Sequence, residues 1–428
     1  MLLGGKNDRD SADEAGQGDP PPRGRARSAI IVGAGVVGMA SAYALARRGV
    51  AVTVVERREA PGCEASFANG AQLSYAYSDA LASPALLRHL PAVLLGLDPS
   101  VRFQPSLDPD RLVWLLRFLR NTSADRFIRN TLAGLRLGLE SQLAMQALQE
   151  RHQLDFGFTP AGKLHLHATP QGLAAARAMV AAKRAHGAEQ HVLGPDEAIR
   201  LEPALADHGP FAGAIYTPGD AVGDPHRFCA AMAALLQADY GVTLRLGTEV
   251  RDIGEDSAAA WAVTGTGERL AADDLVICAG IGSASLTRRL GLRSVLMPMK
   301  GYSFTAPPGP AAPQISITDV ARKIVLCRLG GMIRVAGLAE IGARSATVDR
   351  AALERLRRAA QVSLPGAANY DRIGSGWAGI RPMTASSLPR IERVSPRLAV
   401  NIGHGMLGWT YSMGCAERLA SVVAEGVA

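Results

Sequence analysis

The 428-residue chain lacks the cysteine patterns of a disulfide framework or a structural zinc site. Its cysteines are odd in number, widely spaced and without a C-x-x-C pair: Cys63, Cys229, Cys278, Cys327 and Cys415. This usage is typical of a reducing compartment, where thiols stay free. We therefore expect a cytoplasmic protein without a metal site.

Long runs of Lys and Arg are also missing, although the net charge is +7. Zinc-finger spacings and interleaved aromatic and basic residues, which nucleic-acid-binding proteins use, are absent too. We therefore expect no nucleic acid partner, and the positive charge instead favours anionic substrates or an anionic membrane surface. The sequence shows neither a Ser/His/Asp constellation nor a pair of catalytic carboxylates, the arrangements that would indicate a hydrolase.

Composition predicts a folded chain with more than one domain. Hydrophobic residues make up 48% and charged residues 20% of the sequence, and 428 residues exceed what a single simple core accommodates. Residues 1–28 are the exception, because from Gly4 onward they contain no large apolar side chain. We expect them to form a disordered leader.

The residues from Ala29 to Arg57 carry the strongest local pattern. An apolar strand turns on Gly33, Gly35 and Gly38 into a helix, and a second apolar strand ends at Glu56. This is the dinucleotide-binding fingerprint, in which glycines admit the pyrophosphate and the acid binds ribose hydroxyls. A carboxylate there repels a 2′-phosphate, so NADP fits worst of the dinucleotides. The alternative is an ordinary strand-to-helix turn, whereas a signal-peptide core would not need these glycines.

Helical patterns dominate from Leu81 to Asp155. The leucines at 112, 115, 116 and 119 share one helical face, which predicts a helix packed on a second domain. A second interpretation is that Val93–Leu97 and Trp114, with its basic neighbours, contact a membrane. Both can hold.

Strands and helices alternate in the rest of the chain. Strand patterns cover 156–167, 242–253, 258–264, 269–271, 274–280, 295–305 and 324–337. Helical patterns cover 172–186, 226–240 and 353–363, and a loop is expected at 214–227. His165 and His167 would share a strand face, but no third ligand stands at metal spacing, so a structural role is favoured. The fold class expected is α/β (α+β).

Further motifs identify a family resemblance. They are ANGAQ at 68–72, RLVWLLRFLRN from Arg111, PMKGYS at 298–303, IRVAGLAEI at 333–341, WAGIRPMT at 377–384 and GHGMLGWT at 403–410. Together with the glycine-rich unit, they resemble the flavin-dependent oxidoreductases that include glycine oxidase, sarcosine oxidase and D-amino-acid oxidase. The nearest likeness is to the bacterial D-amino-acid dehydrogenases, small subunit.

The resemblance implies FAD, bound by a Rossmann-like domain (29–80, 195–290 and 370–428) beside an antiparallel-sheet substrate domain (81–194 and 291–369). It implies that the last loop meets the flavin ring, with the following helix directing its N-terminus at the pyrimidine oxygen. Ten cofactor-binding residues are implied: Gly33, Gly35, Gly38, Glu56, Ser66, Asn69, Val250, Gly280, Gly405 and Gly408.

The resemblance also implies that Arg381 clamps the substrate carboxylate, for which a guanidinium fork is suited. A structural ion pair is its alternative role. Tyr302 and His404 are further catalytic candidates, and each could equally be an interior polar group. Family members usually continue after the equivalent of Thr384 with Pro-Asp-Gly, whereas this chain has Ala385–Leu388.

The function expected from the resemblance is oxidative deamination of D-amino acids to 2-oxo acids and ammonia, by hydride transfer to flavin N5. Electrons would pass to a quinone or another carrier, and the protein would lie in the cytoplasm or on the inner face of the plasma membrane. Alternative substrates are cyclic imino acids such as D-proline or hydroxyproline, glycine and sarcosine. An alternative of another class is a non-catalytic flavin-binding partner or sensor.

Overall fold

Two large β-sheets with helices packed around them form the protein in the computed structural model, which describes residues 27–94, 98, 100–293, 295–343 and 345–425. The strands are β1 (Ser28–Val32), β2 (Ala51–Val55), β3 (Gln72–Leu73), β4 (Val101–Phe103), β5 (Lys163–His167), β6 (His191–Leu193), β7 (Gly213–Thr217), β8 (Ala221–Val222), β9 (Thr243–Arg245), β10 (Val250–Glu255), β11 (Ala260–Thr264), β12 (Arg269–Ala272), β13 (Asp274–Ile277), β14 (Met297–Ala306), β15 (Ser316–Asp319), β16 (Ile324–Leu329), β17 (Met332–Ile341), β18 (Trp377–Met383), β19 (Arg390–Arg393) and β20 (Leu398–Ile402). The α-helices are α1 (Val36–Ala46), α2 (Pro84–Leu94), α3 (Pro109–Arg120), α4 (Ala124–His152), α5 (Pro170–Arg184), α6 (Pro195–Leu201), α7 (Pro225–Tyr240), α8 (Ser283–Arg289), α9 (Arg350–Ser363) and α10 (Gly408–Glu425).

The first sheet has the strand order β19-β20-β13-β1-β2-β9 and is parallel except for β19. Its central strand β1 is a continuous apolar run, as expected of a parallel strand covered on both faces. Helix α1 connects β1 to β2 and packs against α10 and α7, which explains why it is apolar around most of its circumference. The predicted β-α-β unit is confirmed.

A small antiparallel sheet of β10, β11 and β12 packs beside the first sheet and shares its core. The continuous strand expected at 242–253 is wrong, because the chain divides there into β9 and β10. Gly247 lies between them with φ +62°, a backbone conformation that interrupts a strand and suits glycine.

The second large sheet has nine strands in the order β18-β14-β17-β16-β15-β5-β7-β6, with β4 pairing to β17. Most pairs are antiparallel, but β5 with β15 and β4 with β17 are parallel. A separate apolar core lies on one face of this sheet, where α9 packs. The mixed α/β (α+β) fold class is confirmed.

Several predicted segments differ in detail. Residues 214–227 are not a loop, because they contribute β7, β8 and the start of α7. Only 163–167 of the strand expected at 156–167 is a strand. The helix α4 spans 29 residues and packs on α10, where Gly414 allows close backbone approach, whereas Gly138 of α4 makes room for the backbone of Tyr75. A Cβ on Gly414 would lie 2.9 Å from the carbonyl oxygen of Leu137.

The domain division remains a prediction, and strand pairing draws some of its boundaries differently. The nine-stranded sheet includes β7 and β18, which lie inside segments predicted for the FAD-binding domain. Residues 1–26 of the predicted leader lie outside the described residues. Ser28 begins β1, and Arg27 Nε binds Asp274 Oδ2 at 2.5 Å, so these two residues belong to the folded part.

Helix α3 differs from its prediction in which residues face inward. Trp114 and Phe118 are buried, whereas Leu112, Leu116 and Leu119 are exposed. The indole Nε1 of Trp114 donates to the carbonyl oxygen of Met383 at 2.9 Å, so Trp114 is a core residue and not a surface contact. Residues 95–97 of the predicted membrane segment lie outside the described residues. In the described part of the chain, no helix is both long and apolar enough to span a membrane.

Candidate functional site

The predicted cofactor residues converge at one edge of the first sheet. Strands β1, β2, β13 and β20 are parallel, so their carboxyl ends lie side by side. The glycine turn follows β1, Glu56 follows β2, Gly280 follows β13, and the loop with Gly405 and Gly408 follows β20. Ligands of open α/β sheets bind at this edge. The four segments, distant in sequence, therefore lie side by side and make up one candidate site.

The glycine turn leaves little or no room for a Cβ at its three glycines. Gly33 has φ +107°, and a Cβ on it would lie 2.7 Å from the carbonyl oxygen of Cys278. A Cβ on Gly38 would overlap the carbonyl oxygen of Gly33, so glycine at 38 lets α1 approach the turn. A Cβ on Gly35, the N-cap of α1, would lie 3.3 Å from the hydroxyl of Ser66. The arrangement is a cradle at a helix N-terminus.

Glu56 closes this cradle on the β2 side. Its Oε2 accepts from the backbone N–H of Ala34 at 2.8 Å, and its Oε1 accepts from the N–H of Arg58 at 2.9 Å. Each carboxylate oxygen has a further acceptor position, which ribose hydroxyls can use. Gly280, at φ +55°, faces open space, and Val250 begins β10 beside the same core.

The turn from Ser66 to Gln72 connects the glycine cradle to the nine-stranded sheet. Ser66 Oγ accepts from the N–H of Val36 at 3.2 Å, at the start of α1. On the other side, the carbonyl oxygen of Asn69 accepts from Arg334 Nη1 at 2.9 Å, and that of Ala68 accepts from the Ser303 hydroxyl. The turn is thus held between the two sheets.

The loop after β20 is supported from beneath by His404. Its Nε2 lies 3.0 Å from Asn401 Oδ1, and Asn401 Nδ2 donates to Ser41 Oγ at 3.1 Å. Burial lowers the pKa of His404 to about 3, because the interior disfavours its charged form. His404 is therefore a neutral interior residue that anchors Gly405 and Gly408.

Arg381 lies on β18, opposite Met299 of β14. Its guanidinium packs over Gly301, where a Cβ would lie 2.2 Å from Nη2. Burial lowers the pKa of Arg381 to about 10, which leaves it charged at neutral pH. Its Nη1 donates to the carbonyl oxygen of Leu338 at 3.4 Å, and it has no acidic partner among the residues that the structure describes. A structural ion pair within the described residues does not account for this arginine.

Tyr302 lies on the opposite face of the sheet from Arg381. Side chains alternate along β14, so Met299, Gly301 and Ser303 share the Arg381 face, whereas Tyr302 points into the core against α9. Its hydroxyl donates to Glu340 Oε1 at 2.7 Å. Burial and this carboxylate raise the pKa of Tyr302.

The structure thus places β18, which carries Arg381, beside the glycine-bearing segments at 280–282 and 405–407, while its partner strand β14 holds the turn at 66–72, and Tyr302 faces away. Two contributors were missed by the sequence analysis. Gly301 makes room for the guanidinium, and the buried Arg334 holds the turn. An arginine within an apolar strand pattern was the available signal for Arg334, because an interior position demands a partner.

These residues fit FAD. The cradle at the N-terminus of α1 suits a pyrophosphate, Glu56 suits a ribose, and the turn and last loop leave glycine-lined backbone for a planar ring. His165 and His167 are buried on β5, and the described residues contain no group of three or more His, Cys, Asp or Glu side chains that could hold a metal.

Comparisons with known proteins identify the family to which the chain belongs. The family model described as FAD dependent oxidoreductase matches residues 28–422. D-amino acid dehydrogenase 2 of Ralstonia nicotianae is 40% identical over 408 residues, which cover 92% of this chain and 96% of that protein. D-amino acid dehydrogenase 2 of Pseudomonas aeruginosa is 40% identical over 402 residues, covering 93% and 95%.

Solved structures show the same fold at low identity. Glycine oxidase from Geobacillus kaustophilus has a TM-score of 0.73 at 24% identity, covering 93% of this chain and 95% of that one. L-proline dehydrogenase from P. horikoshii has a TM-score of 0.74 at 18% identity, covering 94% of both chains. The chain belongs to the family of FAD-dependent oxidoreductases and is an FAD-dependent enzyme of amino-acid oxidation.

Proposed function

We propose that the protein oxidises D-amino acids to 2-oxo acids and ammonia. The observation that carries this proposal is the guanidinium of Arg381, charged, partly buried and without an acidic partner among the described residues. A guanidinium fork binds a carboxylate through two charge-assisted hydrogen bonds. The D configuration is supported by the relatives that are 40% identical and named D-amino acid dehydrogenase 2.

The flavin ring is proposed to lie between the turn at 66–72, the loop at 403–408 and the Arg381 face of the nine-stranded sheet. FAD bound there supplies the acceptor for the hydride that leaves the substrate Cα. Arg381 would fix the substrate carboxylate at the site, and the N-terminus of α10 would favour negative charge on a reduced flavin. The amine loses a proton, and water hydrolyses the resulting imino acid to the 2-oxo acid and ammonia.

Anaerobic flavin bleaching tests this proposal. Purified holoprotein is mixed with D-alanine, L-alanine, D-proline, hydroxyproline isomers, glycine or sarcosine, and the flavin absorbance is followed without oxygen. Rapid bleaching by D-alanine and not L-alanine is expected. If only the cyclic imino acids, glycine or sarcosine bleach the flavin, they and not D-amino acids are the substrates. A yellow protein that none of them bleaches would favour the non-catalytic binding partner or sensor.

The Arg381→Met variant tests the clamp. Two charge-assisted hydrogen bonds are lost, so KM for D-alanine is expected to rise roughly 100-fold or more, while FAD stays bound. The amide of D-alanine, which has no carboxylate, is the matched control because its turnover should change much less. Equal losses with both substrates would remove Arg381 from the clamp role.

We further propose that electrons leave to a quinone or another carrier and not to oxygen. The relatives' name, dehydrogenase, supports this choice. Oxygen uptake and reduction of a soluble quinone analogue are compared under identical D-alanine turnover. Oxygen uptake that accounts for all of the turnover would overturn this part.

Peripheral membrane contact, on the cytoplasmic face, is proposed to occur through the outer face of α3. Leu112, Val113, Leu116 and Leu119 are exposed there, and Leu116 is 60% exposed. They follow the helical spacing i, i+1, i+4 and i+7, which gives one apolar stripe. Arg117 and Arg120 lie in the last turn of the same helix. An apolar stripe with basic neighbours suits an anionic lipid surface.

Vesicle co-sedimentation tests this contact. Wild-type protein is expected to sediment with vesicles containing phosphatidylglycerol, and less with phosphatidylcholine alone. Leu116→Glu should reduce sedimentation, whereas Leu143→Glu, on α4 and 68% exposed, should not. Equal vesicle binding by both variants would show that α3 is not the membrane-binding surface. A concentration-dependent dimer that Leu116→Glu breaks would instead show that the apolar stripe binds a second copy of the chain.

A further inference from the structure

Lys163 is a buried cation that the proposed function does not use. It lies on β5 and is 4% exposed. Its Nζ donates to the hydroxyl of Ser74 at 2.5 Å, in the segment that follows the turn at 66–72. A buried ammonium is costly unless its charge has a partner or a role.

Ser74 connects this ammonium to the N-terminus of α10. The backbone N–H of Ser74 donates to Thr410 Oγ1 at 3.0 Å, and Thr410 belongs to the first turn of α10. The preceding residues, Gln72 and Leu73, are fixed by pairing β3 with β8. Only Ser74 therefore separates Lys163 from the N-terminus of α10, the helix end that is proposed to face the flavin pyrimidine.

Two cations and two carboxylates lie around Ser74, and Lys163 is the cation that contacts it directly. Asp220 attracts the ammonium, but it lies beyond ion-pair distance of it, and its Oδ1 accepts from the N–H of Ala76 at 3.3 Å. Lys183, also buried, binds Asp79 and the carbonyl oxygen of Ala76. The other titratable groups nearby are His165, Tyr77 and Cys327.

None of those three adds charge at neutral pH. Burial and the nearby lysines lower the pKa of His165, while burial raises the pKa of Tyr77 and raises that of Cys327 to about 12, so all three stay neutral. Burial also lowers the pKa of Lys163 to about 8, which leaves it mostly protonated at pH 7.

We propose that Lys163 is a positioning residue that holds Ser74 against α10 and, through its charge, raises the reduction potential of bound FAD. Reduction places negative charge on the pyrimidine end of a flavin, and a buried cation next to a helix N-terminus stabilises that charge. This inference rests on the proposed placement of the flavin at α10.

Sulfite affinity and the two-electron reduction potential of holoprotein test the inference. Sulfite adds to the flavin more tightly when positive charge lies near the pyrimidine. Lys163→Met, similar in length but uncharged, is expected to weaken sulfite binding at least about tenfold and to lower the potential by about 30 mV, the two-electron equivalent of tenfold. Sulfite affinity of the wild type, but not of Lys163→Met, should fall as pH rises through about 8.

Lys183→Met is the matched control, because Lys183 is equally buried but belongs to the pair with Asp79. Its sulfite affinity should stay within about twofold of wild type. Unchanged affinity and potential in Lys163→Met would overturn the inference, as would equal shifts in both variants.

Ser74→Ala provides a second route, because it removes the acceptor while keeping the charge. If Lys163→Met does not retain FAD, weaker sulfite binding in Ser74→Ala supports the positioning part of the inference, and unchanged binding overturns that part. The pH dependence of sulfite affinity in the wild type then tests the charge, and an affinity that does not fall as pH rises through about 8 overturns it. Neither measurement uses an amino acid, so failure of the proposed substrate and failure of this inference are separate results.

Discussion

Replacing Gly301 by alanine should damage substrate binding without damaging the fold. The new Cβ would lie 2.2 Å from Nη2 of Arg381 and 2.4 Å from its Cζ. Non-bonded atoms in favourable contact are about 3.5 Å apart, so the guanidinium must move by roughly 1 Å or more. The clashing atoms are the far end of a flexible side chain, so the displacement falls on the arginine and not on the strand.

The cost can be worked from this displacement. A guanidinium moved by about 1 Å loses the alignment of one of its two carboxylate hydrogen bonds, worth roughly 2 kcal/mol. That corresponds to about a 30-fold fall in kcat/KM. Stability should be unchanged or slightly higher, because glycine inside a strand is about 0.5–1 kcal/mol less favourable than alanine.

Steady-state kinetics with D-alanine and thermal unfolding of the holoprotein provide the assay. The decisive control is Gly301→Ala in the Arg381→Met background, where the guanidinium that it displaces is absent. If Gly301 acts only through Arg381, the second change adds no further loss. A full 30-fold loss on top of Arg381→Met, or a wild-type kcat/KM in the single variant, would refute the reasoning.

Three further changes follow from the geometry. Glu56→Gln leaves the N–H of Ala34 or Arg58 without an acceptor, so the Kd of FAD should rise about tenfold or more by fluorescence titration, and an unchanged Kd would contradict the role of Glu56. Because the pKa of His404 is about 3, His404→Gln should leave the apparent pKa values of the kcat/KM profile unchanged between pH 5 and 9, and a lost limb would contradict this. Burial raises the pKa of Asp220 from its ordinary value of about 4 to about 6. The folded state therefore binds more protons between those values, and this contribution to stability is lost as pH rises from about 4 to 6. Asp220→Asn should flatten that part of the stability curve in chemical unfolding, and parallel curves would contradict it.

The glycine cradle could be predicted because all of its signals are local. Strand, turn, helix and closing acid lie within the 29 residues from Ala29 to Arg57, and each is set by backbone conformation or apolar periodicity. Only the family resemblance predicted that Gly280 and the last loop lie at the same site as this cradle. Their meeting depends on β13 and β20 lying next to β1, a neighbour order that no local pattern encodes.

Helix α3 shows the limit of periodicity. The spacing of its leucines predicts that they share a face, but Leu112, Leu116 and Leu119 are exposed, whereas Leu115 is partly buried against the inner cluster. Trp114 and Phe118 occupy the inner face because the methionines at 297, 299 and 383 present a surface that aromatic rings fill. Which of two apolar faces packs inward depends on partners roughly 180 to 270 residues away in sequence. The amphipathic pattern therefore predicts a helix and not its orientation.

The different positions of Arg381 and Tyr302 have the same origin. Both stand in recognisable motifs, and alternation fixes their faces once β14 is known to pair with β18 in the register Gly301↔Gly379. A slip of this register by one residue would turn Arg381 to the face that packs on α9, away from the turn at 66–72. Because Ser303 on the Arg381 face binds the carbonyl oxygen of Ala68, the same register that orients the guanidinium also holds the cofactor turn. The proposed substrate clamp and the proposed cofactor turn are thus connected through one strand pair.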